Sequence, residues 1–157
     1  MPARRRTSRK QSDASSSAKP HEPIFFLDGC LGRFAVRSRL LDAGVRVEVL
    51  YDHFPADTPD KIWLRHVGGK GWTVLTKDRH IRANQVEIAA LLESGVACFN
   101  LTAADMTGPE MGTAFVTALP AIRQFLKRFP APFVAGVTRS GNVSMLCTRA
   151  TLIKRIT

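Results

Sequence analysis

Long apolar runs are missing from this 157-residue chain, and none approaches the ~20 apolar residues that a membrane-spanning helix needs. The basic N-terminus runs into Gln11-Ser12-Asp13-Ala14-Ser15-Ser16-Ser17, where a signal peptide requires an apolar segment. A soluble, cytoplasmic protein is therefore expected. Cysteine is scarce: Cys30, Cys98 and Cys147 form an odd set without Cys-x-x-Cys spacing. A disulfide framework is not expected in a chain that is 45% hydrophobic, and the thiols should be reduced. Histidine is scattered too, so a zinc site from Cys30, His53, His66 and His80 has no supporting ligand spacing. Acidic charge is the last shortage. The chain has 13 acidic against 23 basic side chains, for a formal net charge of +10. Residues 1–22 hold six of the basic and two of the acidic groups, so residues 23–157 keep 17 against 11, or +6. A folded part that is itself basic points to a polyanionic partner, with nucleic acid the commonest.

Residues 1–22 are rich in Ser, Arg and Lys and almost free of large apolar groups, so they are expected to be a disordered basic tail. Residues 23–157 should form one domain. Ile24–Leu27 is a continuous apolar run, as for a strand covered on both faces. Gly32–Ala43 reads as a helix with Phe34, Leu40 and Leu41 toward the core, Arg33 and Arg37 on one face, and Gly44 as its stop. Val45–Leu50 alternates as a second strand. A long acidic loop, Tyr51–Pro59, leads to a helix that Thr58 could cap and Gly68-Gly69 would end. Trp72–Thr76 is the third strand, Asn84 caps the next helix, Gly95 stops it, and Val96–Leu101 is the fourth strand. Met111, Ala114, Phe115, Ala118, Leu119, Ile122, Phe125, Leu126 and Phe129 keep helical spacing through Pro120, which should kink that helix. Phe133–Val137 and Val143–Cys147 can pair as a C-terminal hairpin. The alternation of strands and helices predicts a three-layer α/β/α sandwich around a mainly parallel sheet of about five strands.

Three acids stand at element boundaries. Asp28 ends the first apolar run, Asp78 follows the third strand by one residue, and Asp60 opens the helix between them. Strand ends share one edge of such a sheet, where ligands bind. With strands ordered 2-1-3, Asp28 and Asp78 would face one cleft. Carboxylates gathered there cannot all stay ionised without a cation, and a divalent metal with oxygen ligands is the usual answer. A metal-dependent enzyme acting on phosphate esters is expected. For Asp60, and for Glu87 early in the third helix, favourable interaction with the helix dipole is a competing account. Either Asp52 or Asp57 in the acidic loop could be a further ligand, although solvated loop acids are commoner. His80 could act as a general base. Lys77, Arg79 and Arg82 surround Asp78, and Arg33 and Arg37 follow Asp28; these five could hold phosphate oxygens. Gly68-Gly69-Lys70-Gly71 lacks the spacing of a phosphate-binding loop.

The phrases Phe-Phe-Leu-Asp-Gly-Cys-Leu-Gly-Arg, Asp-His-Phe-Pro-Ala-Asp-Thr-Pro-Asp-Lys-Ile-Trp-Leu and Gly-Trp-Thr-Val-Leu-Thr-Lys-Asp-Arg resemble PIN-like domains, and within them the VapC-like toxins of bacterial toxin–antitoxin pairs. The resemblance spans roughly residues 23–138, and the Leu-Thr-Lys-Asp phrase is its most specific part. It implies a PIN-like fold and a Mg- or Mn-dependent endoribonuclease. Asp28, Asp60 and Asp78 would be its metal-binding acids, RNA its substrate and a small antitoxin protein its partner. Gly29 and His80 stand where many relatives carry further acids, which implies an acid-poor site. A homo-oligomer is compatible with this picture. Two other readings are a non-catalytic nucleic-acid-binding module and a Mg-dependent phosphatase using Asp28 as nucleophile. The second lacks the expected Asp-x-Asp, since residue 30 is Cys.

Overall fold

The computed structural model describes residues 22–157. The expected tail, apart from Glu22, lies outside the described residues. Six strands, β1 (Ile24–Leu27), β2 (Arg46–Val49), β3 (Thr73–Thr76), β4 (Ala97–Leu101), β5 (Phe133–Val137) and β6 (Val143–Cys147), form one sheet ordered β2-β1-β3-β4-β5-β6. The first five are parallel neighbours, and β6 returns antiparallel to β5 as the expected hairpin. The apolar run of β1 lies inside the sheet, with Phe25 and Phe26 fully buried on opposite faces. Phe25 and Leu27 join a core with Leu40 of α1 (Ala35–Asp42) and Phe115 and Ile122 of α5 (Gly108–Arg128). Phe26 joins the opposite core with Trp63, Leu64 and Val67 of α3 (Asp60–Lys70), Ile88 and Leu91 of α4 (Gln85–Ser94) and Leu152 of α6 (Arg149–Ile156). The result is the expected three-layer sandwich.

Several local expectations differ. Helix α1 starts at Ala35 rather than Gly32, because Gly29–Leu31 forms a separate 3-10 turn. Val36 and Leu40 are therefore its core residues, and Phe34 and Leu41 are exposed. Arg33 precedes the helix, so it does not share a helical face with Arg37. The loop after β2 contains a short helix, α2 (Leu50–His53). Thr58 does not cap α3; its hydroxyl donates to the Pro55 carbonyl at 2.7 Å, and Pro59 occupies the cap position. Helix α3 runs through Gly68 and Gly69 and stops at Gly71, whose φ of 71° suits glycine. Gly68 is a packing residue. A Cβ there would stand 2.2 Å from the Ser94 carbonyl oxygen on α4, so α3 and α4 approach at backbone distance. Pro120 does not divide α5, which is continuous over 21 residues. Its start carries a reciprocal Thr107–Glu110 capping box.

Candidate metal centre

Asp28 leaves β1 in extended conformation, and its amide donates to Leu75 of β3, continuing the ladder for one more bond at 3.1 Å. Thr76, fully buried at the end of β3, ties the two strand ends together. Its hydroxyl donates to Asp28 Oδ2 at 2.8 Å and accepts from the Asp78 amide at 3.0 Å. Cys30 Sγ lies 3.6 Å from Asp28 Oδ2 and 3.4 Å from Thr76 Oγ1, and accepts from the Lys77 amide at 3.4 Å. Asn100, fully buried in β4, donates from Nδ2 to the Asp78 carbonyl at 2.9 Å. The loop bearing Asp78 is thus held from two neighbouring strands.

Asp60 occupies the first position of α3, and its Oδ1 accepts from the indole N–H of buried Trp63 at 2.9 Å. Glu87 lies in the first turn of α4, behind the cap in which Asn84 accepts from the amides of Val86 and Glu87. Asp60, Asp78 and Glu87 each offer a carboxylate oxygen within 4.8 Å of the others. Among the described residues they are the one group of three or more potential metal ligands so arranged. Asp28 is outside this trio, although the Asp60 charge acts on it directly. His53 and His66 sit in an aromatic cluster with Trp72, and His80 Nδ1 is bound to Asp78 Oδ1 at 2.9 Å, so Cys30, His53, His66 and His80 do not assemble.

Burial, with charge repulsion added to it, governs the ionisation of the cluster. Burial, the adjoining Asp60 carboxyl, and the charges of Asp60, Asp78 and Asp28 push Glu87 up to about 8. Glu87 Oε1 is enclosed and has no hydrogen-bond partner. Burial raises the Asp28 pKa; the Thr76 hydrogen bond opposes this, and the Asp60 charge adds to it. Burial and the Asp28 charge push the Cys30 thiol up to about 11, so it stays protonated beside that carboxylate. An all-oxygen set, with one orphaned carboxylate oxygen and a surplus of negative charge, fits a hard divalent cation such as Mg or Mn. Nothing in it is soft enough to favour zinc or copper.

The five basic residues named above stand at this edge of the sheet. The Arg33 guanidinium lies 4.0 Å above the Tyr51 ring, and Arg37 pairs with Asp52 at 3.7 Å. Lys77 and Arg79 are exposed. Arg82 is half-buried, and its Nε lacks a partner. Asp57 is exposed in the α2–α3 loop.

A family model described as "PIN like domain" matches residues 23–103, a stretch that holds all four acids as well as Thr76 and Asn100. The chain belongs to the PIN-like domain family. A Mycobacterium tuberculosis protein named "Putative ribonuclease VapC45" is 31% identical over 125 residues, covering 77% of this chain and 90% of that protein. No solved structure matches significantly.

A glutamate in the first turn of a helix is accounted for by dipole pairing alone, so the sequence does not single out Glu87. Asn100 has a signal, a polar side chain inside an otherwise apolar strand, which demands a partner when buried. Thr76 ends a strand that also opens on a threonine, and only its partners in the fold distinguish it.

Proposed function

We propose that the protein is a divalent-metal-dependent endoribonuclease, the toxin of a toxin–antitoxin pair. The observation that carries this is the meeting of Asp60, Asp78 and Glu87 within 4.8 Å at the carboxyl edge of a parallel sheet. Family membership and the printed name of the mycobacterial relative support RNA as the substrate. Asp60, Asp78 and Glu87 hold Mg or Mn, and Asp28 adds its charge from the floor of the site. The metal, when bound, supplies charge stabilisation at the scissile phosphate and acidifies a nearby water. Thr76 and Asn100 keep the Asp28 and Asp78 strand ends in register, so the carboxylates need little reorganisation. Trp63 turns Asp60 toward the cluster. Arg33, Arg37, Lys77, Arg79 and Arg82 neutralise flanking phosphates. A small antitoxin protein keeps the enzyme inactive in the cell.

The test is direct. Purified protein is incubated with single-stranded RNA in Mn or Mg, with EDTA added to a parallel sample. Cleavage that needs metal and is lost in Asp78→Asn supports the reading. Metal-independent cleavage, or none with either ion, refutes it.

A further inference from the structure

A second feature lies at the opposite edge of the sheet. Ile24, Arg46 and Thr73 open β1, β2 and β3, and there they border a cleft of about 610 Å³. Its walls carry Arg46, Lys70, Arg123 and Lys127 against one carboxylate, Glu22, with Trp72 as the aromatic surface. Arg46, Lys70 and Lys127 are exposed and have no ion-pair partner among the described residues. Arg123 Nε lies 3.4 Å from Glu22 Oε2, yet it is enclosed and makes no hydrogen bond. Compensation of helix dipoles explains Lys70 and Lys127, which end α3 and α5. It does not explain Arg46, which opens a strand, or Arg123, which lies a turn further back in α5.

We infer that this basic cleft is a second phosphate-binding site, one that holds a single-stranded RNA away from the acid cluster. The choice of RNA over another polyanion rests on the ribonuclease reading. Two observations fit an extended polyanion. The four cations spread over two helix ends and a strand start rather than closing on one point. Trp72, packed among Phe26, His53 and His66, is half-buried, and its remaining exposed part borders the cleft, where a base can contact it. The basic segment 1–21 is repelled by the cleft's own cations, so it is a poor occupant itself. Four-residue strands separate the two edges by only ~13 Å. This is short against the roughly 4–16 nucleotides that single-strand-binding domains cover. One RNA can therefore reach both sites around the edge strand β2.

The experiment measures binding of the full-length protein to a labelled single-stranded RNA of about 15 nucleotides in EDTA, where no cleavage interferes. The parent is compared with Arg46→Gln/Lys70→Gln/Lys127→Gln across a salt series. Three lost phosphate contacts should lower the slope of log affinity against log salt by about 2 and weaken binding about tenfold at 0.1 M salt. Mn affinity of the acid cluster should not change. The exposed single variant Lys70→Glu, which touches no core, should weaken RNA binding severalfold even if the triple variant folds poorly. Unchanged affinity and slope in both variants overturn the inference. So does UMP competing for the cleft as well as the RNA does, since the ligand is then a free nucleotide. If the variants lose RNA affinity but the parent never cleaves, this inference stands and the ribonuclease reading falls. Cleavage with unaltered binding gives the reverse.

Discussion

Replacing Glu87 by glutamine should make the metal-free protein more stable and the metal-loaded protein less so. In the folded chain Glu87 titrates near 8 instead of about 4.5, because it is part-buried beside Asp60 and Asp78. A carboxyl whose folded pKa is raised stabilises the fold below its unfolded pKa, and loses that contribution as pH rises through the folded value. Metal-free stability should therefore decline between about pH 4.5 and about pH 8. The size follows from Coulomb's law. Charges at the 4.8 Å limit of the cluster repel by about 1 kcal/mol in a water-like medium and about 3.5 kcal/mol at an effective dielectric of 20. Glu87 is only partly enclosed, so solvent screening favours the lower figure. Two such pairs, with Asp60 and Asp78, come to about 2 kcal/mol. For a domain of this size that corresponds to a rise in Tm of roughly 5–8 °C at pH 8. The glutamine amide can also donate to Asp60, which Glu87 can do only when protonated. Below about pH 4.5 parent and variant should melt together.

Metal reverses the order. A ligand present at 100 times its Kd stabilises the fold by about 2.7 kcal/mol, and the Glu87→Gln variant offers it a weaker, neutral oxygen in place of a charged one. Thermal melts at pH 4.5, 6 and 8, each with EDTA and with saturating Mn, give the full comparison. Curves that cross between EDTA and Mn at pH 8 support the reasoning. A variant no more stable than the parent at pH 8 in EDTA refutes the charge argument, and equal gains from Mn remove Glu87 from the metal site.

Asp28→Asn should abolish RNA cleavage while leaving RNA affinity equal or higher, because the carboxylate repels phosphate; parent-like cleavage in Mn would remove Asp28 from the site. Gly68→Ala should destabilise the protein by about 1–3 kcal/mol in urea melts: the ~1 kcal/mol gain in helix propensity cannot offset a Cβ placed 2.2 Å from a backbone oxygen. Gly69→Ala, with nothing near the added Cβ, should instead be neutral or stabilising by up to about 1 kcal/mol, and equal effects at the two positions would contradict the packing role of Gly68. Removing residues 1–21 should leave a cooperative melt with an unchanged midpoint; loss of cooperativity would show that the segment supports the fold.

How much of the site is legible in the sequence depends on whether each residue has a complete local explanation. Asp28 and Asp78 do not: Asp28 closes a continuous apolar run and Asp78 follows the third strand by one residue, and the strand-end rule gives both a reason from elsewhere. Glu87 does, since an Asn cap followed by a first-turn glutamate is a sufficient helix start. Its place beside Asp60 appears only with the packing of α3 beside α4, and the residue that permits this, Gly68, reads in one dimension, with Gly69, as a helix stop. The same misreading hides the start of α1, where Gly32 and Phe34 fit a helical period, yet the chain turns once before Ala35 to leave Cys30 against Asp28 and Thr76. Once Gly68 lets the backbones of α3 and α4 approach, two helix N-termini arrive together at the carboxyl edge of the sheet. Their positive dipole ends offset part of the repulsion between Asp60 and Glu87, and the remainder is what a divalent cation would relieve. On the proposed metal reading, the close contact between α3 and α4 would set metal affinity although it lies at the far end of both helices. Gly68→Ala should accordingly weaken Mn binding as well as stability, whereas a substitution acting on stability alone would leave the Mn affinity of the folded fraction unchanged.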